Sequence, residues 1–114
     1  MADPAPMELL QGTLDVLVLK ALSWGARHGH QVARVIRDST GTFEVLDGSL
    51  YAALHRLEER GLVEGDWGLS DRGKRAKFYN LTAAGRQRLK AETATWQRYV
   101  AAVSRLLTAT IEPA

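Results

Sequence analysis

The sequence predicts a mainly α-helical chain with one small β-hairpin, and three observations set that layout. Between residues 9 and 59, three segments place apolar side chains at helical spacing. Between residues 62 and 81, two β-forming stretches flank the polar, glycine-containing "GLSDRGK". After Thr82, apolar residues recur at alternating four- and three-residue steps, the seam spacing of a helix that meets another helix.

Residues 1–8 carry two prolines and no periodicity, and read as a disordered tail. The first helix takes in "LLQGTLDVLVLKAL" from Leu9 to Leu22. Gly12 or Thr13 can begin it, Asp15 suits its first turn, and Gly25 is expected to end it. It is apolar around much of its girth, so it calls for cover on two sides, the domain core and a partner subunit. Trp24 is assigned to the core.

A second helix runs from His28 or Gly29 to Asp38, with Val32, Val35 and Ile36 inward and Arg34 and Arg37 outward. "STGT" is turn chemistry, and Phe43 and Val45 are expected to pack inward. The third helix starts near Asp47–Ser49, either of which is a good N-cap. Leu50, Ala53, Leu54 and Leu57 form its buried stripe. Tyr51, Ala52, His55, Arg56 and Glu59 face solvent, and Gly61 ends it.

Leu62–Trp67 and Arg75–Leu81 are the two strands of a hairpin with a cationic tip. Thr82 caps a last helix that runs to about Ala109. Its seam is Leu89, Thr93, Trp96, Val100, Val103 and Leu107. Helix, helix, helix, hairpin and long helix, in that order, make a winged helix-turn-helix with a C-terminal dimerisation helix. The division is a tail at 1–8, the winged domain at 9–81, the closing helix at 82–109 and a tail at 110–114.

Composition narrows the function. The chain has 114 residues, 46% of them hydrophobic and 25% charged, which fits one folded domain. A core this small gains from self-association. No apolar run reaches the roughly 20 residues that span a bilayer, and "MADPAPMELL" lacks the pattern of a signal peptide. The expectation is a cytoplasmic protein without membrane contact. With no cysteine there is no disulfide, thiolate metal site or Cys nucleophile. His28, His30 and His55 lack ligand spacing, so neither metal nor cofactor is expected. Nothing pairs a nucleophile or acid with a base at catalytic spacing, and no Gly-rich phosphate loop occurs, so an enzyme is not expected.

Net charge is only +2, but its distribution is uneven. Residues 1–50 carry four basic and six acidic side chains, whereas residues 70–90 carry seven basic and one acidic. A local positive field is the electrostatic footprint of a nucleic-acid partner.

"GSLYAALHRLEERGLVEGDW", followed by "KRAKFYNLTAAGRQRL", resembles the PadR family of bacterial transcriptional regulators. The matching pieces are Leu50-Tyr51, Leu54-His55-Arg56-Leu57-Glu58, Gly61-Leu62-Val63, Trp67, Lys74–Tyr79, and Leu81-Thr82 with Gly85. "LQGTLDVLVLKAL" and "HGHQVARVI" match upstream. The family commonly has Pro at the position of Ala52 and Tyr at that of His30. The chain is similar to the smaller members, which have a single short C-terminal helix.

A recognition helix lies in the major groove of double-stranded DNA with its N-terminal side chains on base edges. That assigns Ser49, Tyr51 and Ala52 to DNA contact, with His55 and Arg56 one turn on. Arg72, Lys74, Arg75 and Lys77 on the hairpin are assigned to the phosphate backbone or minor groove. Leu10, Leu14, Leu17, Trp96, Val100, Val103 and Leu107 are assigned to the interface of a homodimer. The resemblance implies an aromatic or cationic small-molecule effector at such an interface, for which Trp96 is the candidate residue. The expected function is a repressor on an inverted-repeat operator. The rival reading is a winged helix used for protein–protein contact, which has no need of a cationic hairpin.

Overall fold

The computed structural model describes residues 12–114. The elements in chain order are α1 (Thr13–Leu22), β1 (Arg27–His28), α2 (Gly29–Thr40), α3 (Asp47–Glu59), β2 (Val63–Leu69), β3 (Arg75–Leu81) and α4 (Ala83–Leu107). Leu10 and the expected tail at 1–8 lie outside the described residues.

Helix α1 buries Val18, Leu19, Ala21 and Leu22 and packs on α2, α3 and α4. It stops at Leu22, capped by Ser23, short of Gly25. Trp24 therefore falls past the helical register that points residues inward. It is 60% exposed, not in the core, with Lys20 Nζ 4.6 Å from its ring centroid.

β1 was not foreseen. It pairs antiparallel with β3, Arg27 opposite Tyr79 and His28 opposite Phe78, giving the sheet order β1-β3-β2. Two residues hold no periodicity, and their partner lies about fifty positions away, so nothing local marks them.

Helix α3 begins earlier than either expected cap, with Leu46 as N-cap one residue before Asp47 and three before Ser49. The Leu46 carbonyl accepts from Leu50 N–H at 2.9 Å, and no side chain caps the helix, so Asp47 sits in the first turn. The end is as expected. Gly61 has φ 71°, its N–H donates to Glu58 O at 3.0 Å, and Leu62 N–H donates to Leu57 O at 2.9 Å. This pair of bonds needs a left-handed residue, which glycine supplies without strain. It also holds Leu62 out of the strand. β2 starts at Val63 and runs past Trp67, because Gly68 and Leu69 pair with Ala76 and Arg75. β3 has its expected bounds.

The core is one cluster. Val18, Leu22, Val32, Leu50, Ala53 and Leu54 are wholly inaccessible, and Val63, Tyr79 and Leu81 close it from the sheet. Phe43 and Val45 pack against it, as expected. Thr82 fastens the start of α4 in two ways. Its Oγ1 accepts from Gly85 N–H at 3.0 Å and donates to Gly61 O at 2.7 Å. Leu89 still touches the core, but every residue from Thr93 onward is exposed. The helix ends at Leu107, two residues before the expected Ala109. Among the described residues, no helix is long and apolar enough to cross a membrane.

Candidate nucleic-acid interface

Pleating puts Val63, Gly65, Trp67 and Leu69 on one face of the hairpin, opposite Leu81, Tyr79, Lys77 and Arg75. The inner half of that face joins the core, and the outer half projects beyond it. Between that outer half and the starts of α2 and α3 lies a groove of about 840 Å³. Arg34, Arg72, Lys74, Arg75 and Lys77 line it, against one carboxylate, Asp71. Opposite walls of like charge around a concave space focus the field on an incoming anion.

Tyr51 belongs to this groove. It is 44% exposed, and its ring lies over Gly29 at the start of α2. A Cβ at Gly29 would stand 2.8 Å from Tyr51 Oη, so glycine there lets the phenol reach between the two helix starts. Ser49, Ala52 and His55 are exposed on α3. The His55 Nε2 lies 3.1 Å from Glu59 Oε1, on the helix's own surface.

The cations divide into two sets. Arg72 and Lys74 sit in the hairpin turn, which Ser70 braces by donating its N–H to Lys74 O at 2.8 Å. The Arg75 guanidinium lies 4.8 Å from the Trp67 ring centroid. That cross-strand stacking holds the charge out along the wing. Arg56 and Lys77 are engaged inside the chain. Arg56 Nη2 donates to Asp15 Oδ1 at 2.8 Å, away from the groove. Lys77 Nζ donates to Glu58 Oε1 at 2.9 Å, and that bond holds its pKa above the usual lysine value.

Among the groove residues not singled out as contacts from the sequence are His28, His30, Arg34 and Trp67. His28 caps α2. Its Nδ1 accepts from Gln31 N–H at 3.4 Å, and its own N–H donates to Gln31 Oε1 at 3.1 Å. "HGHQ" holds that reciprocal spacing, with a histidine where serine or threonine is usual. An accepting Nδ1 requires the neutral ring with its proton on Nε2. Burial lowers the His28 pKa, and His30 and Arg34 lower it further, against Asp71. Among the described residues, no three histidine or carboxylate side chains form a metal-binding group.

The expected interface residues fall into two groups. Leu14 and Leu17 are half-buried against the chain's own core. On α4, Trp96, Val100 and Val103 are 42%, 40% and 39% exposed, and Leu107 is more open still. Trp96 stacks on Tyr99, with ring centroids 6.0 Å apart at 21°. Tyr99 and Leu106 widen the apolar stripe beyond the strict seam.

The model of the transcriptional regulator PadR-like family matches residues 18–91, from α1 into α4. The chain belongs to that family. A solved PadR-like transcriptional regulator from Bacillus cereus is 28% identical, covers 88% of this chain and 96% of its own, and superposes with a TM-score of 0.76. A PadR family transcription regulator from Clostridium difficile is 26% identical, with coverage of 84% and 99% and a TM-score of 0.75. A Lysinibacillus sphaericus protein called uncharacterized protein X is 31% identical over 91 residues, 78% of this chain and 83% of its own. The fold foreseen from sequence, helices with a winged hairpin, is that of these PadR structures. The seam residues Trp96 to Leu107 lie beyond the span of the family match.

Proposed function

We propose that the chain is a homodimeric repressor that binds an inverted-repeat operator. The observation that carries this reading is the groove beside the start of α3, where Arg34, Arg72, Lys74 and Arg75 face one carboxylate, Asp71, in addition to the Glu58-paired Lys77. Helix α3 enters the major groove, and Ser49, Tyr51, Ala52 and His55 meet base edges. Arg72, Lys74 and Arg75 meet the backbone, and Arg34 on the opposite wall joins them. Two copies joined along the α4 seam set their recognition helices about one duplex turn, roughly 34 Å, apart. Repression follows from occupying DNA that polymerase needs. An aromatic or cationic effector lodges against Trp96 between the subunits. It releases DNA by favouring a dimer whose helix spacing no longer matches the operator.

The test is a titration of a labelled fragment of the protein's own promoter, and of random DNA, at two salt concentrations. Tight, salt-sensitive preference for the promoter supports the reading. Arg75→Ala then shallows the dependence of log affinity on log salt by about one unit on both DNAs. Binding to neither DNA refutes it and favours the protein-contact alternative.

A further inference from the structure

Two cations that the sequence offers to DNA are spent within the chain, and both carboxylates that take them bear on the recognition helix. Asp15 reaches α3 from α1 through Arg56, with side chains 25% and 46% exposed. Glu58 reaches from α3 to the wing through Lys77, with both side chains about three-tenths exposed. The second pair has space kept for it. A Cβ at Gly65 would run into the Lys77 side chain and stand 3.1 Å from Glu58 Oε2, so the lysine crosses the sheet only because β2 has no side chain there.

We infer that Asp15 and Glu58 are positioning residues for DNA recognition: the Asp15–Arg56 and Glu58–Lys77 pairs strap the recognition helix to α1 and to the wing and set the separation of the two recognition helices in the dimer. This rests on the DNA-binding reading above. The buried stripe of Leu50, Leu54 and Leu57 fixes how deeply α3 sits. Close packing of the stripe also sets the coarse crossing angle, which leaves small changes of roll and tilt for other contacts to restrain. Hydrogen-bonded ion pairs on the helix's flanks are directional and act on those two freedoms. α1 also packs on α4, so the Asp15 strap joins the recognition helix to the layer that carries the seam.

The sign of one substitution separates this from a direct role for Arg56. Beside a phosphate, Asp15 is a like charge that opposes binding, and its loss would tighten the complex. As a strap, its loss loosens the pose. Asp15→Asn and Glu58→Gln are expected to weaken operator binding by about two- to fivefold, the range for part-exposed pairs. Random-DNA affinity and the salt slope stay unchanged in Asp15→Asn, whose partner Arg56 does not line the groove. The preference between operators whose half-sites differ by one base pair in spacing is blunted. Combining Asp15→Arg with Arg56→Asp restores both the operator affinity and the spacing preference lost in Asp15→Asn.

Hydrogen exchange of α3 amides in the free protein reads the straps without DNA. Exchange should speed up in each single variant and recover in the swap. Wild-type binding to the promoter fragment reports on the DNA reading alone, so the two failures are told apart. The inference is overturned if Asp15→Asn tightens operator binding or leaves α3 exchange unaltered. It is also overturned if Arg56→Gln shallows the salt slope by about 0.9 unit, the mark of a direct phosphate contact.

Discussion

The winged domain and the outer part of α4 use the same kinds of apolar residue and meet opposite fates. In the domain, Val18, Leu22, Leu50 and Leu54 have no accessible surface. On α4, Trp96, Tyr99, Val100, Val103, Leu106 and Leu107 stand at least 39% exposed. Both patterns are periodic, and periodicity states only that a face is meant to be covered. In one region the chain closes on itself. In the other the chain supplies no cover, and in the proposed homodimer a second copy would supply it, since an apolar stripe of this length on a lone helix is costly to leave in water.

The comparison is tested most strongly by one substitution in each region. Leu54→Ala should cost about 2–5 kcal/mol, because it opens a cavity where nothing is free to collapse. Chemical denaturation should show the same loss at every protein concentration. Val103→Glu should do the reverse. It leaves the helical signal intact and splits the dimer, seen by sedimentation. Operator affinity then falls by about a hundredfold or more, as the two half-sites cease to be bound jointly. A concentration-independent loss of stability from Val103→Glu would mean that the seam is covered within one chain.

Seam and core both show in the sequence as periodic apolar faces, and only the folded chain shows which face it covers itself. Leu14 and Leu17 look as apolar as Trp96 in sequence, yet they lean on the chain's own core. The hairpin and the Gly61 helix end were readable because turn and cap chemistry is local. β1, the Leu46 cap and the exposure of Trp24 were not, because each depends on where another element stops or lies. The candidate site divides in the same way. Tyr51, Arg72, Lys74 and Arg75, expected at the DNA from sequence, line one groove. Arg56 and Lys77 were found for their charge, but the carboxylates that claim them are 41 and 19 positions away. Sequence counts charges, and pairing decides which of them remain on offer.

Where one region passes into the other, Gly85 sharpens the boundary. It is buried in the first turn of α4, and a Cβ there would collide with the Leu62 carbonyl oxygen. Gly85→Ala must push α4 off the α3–β2 turn, and backbone cannot yield as a side-chain tip can. The expected cost is about 1–3 kcal/mol, read as a lower denaturation midpoint with the dimer preserved. Stability equal to wild type would place the start of α4 with the independent seam, not with the winged domain.

The smallest effect concerns the groove wall itself. The His28 pKa is lowered, first by burial and then by His30 and Arg34. Its Nδ1 has to stay unprotonated to cap α2. The folded chain therefore holds the proton less tightly than the unfolded chain, whose imidazole keeps its ordinary value of 6.5. The cap's contribution is complete above that pH. It declines as pH falls through 6.5 toward the lowered value, and below that it is gone. His28→Asn keeps a capping acceptor that does not titrate. Unfolding midpoints measured from pH 8 to 5 should fall more steeply for wild type than for His28→Asn, by roughly a degree or two for a single small term of this kind. Superimposable pH profiles would show that the histidine's proton has no part in holding α2 to the groove.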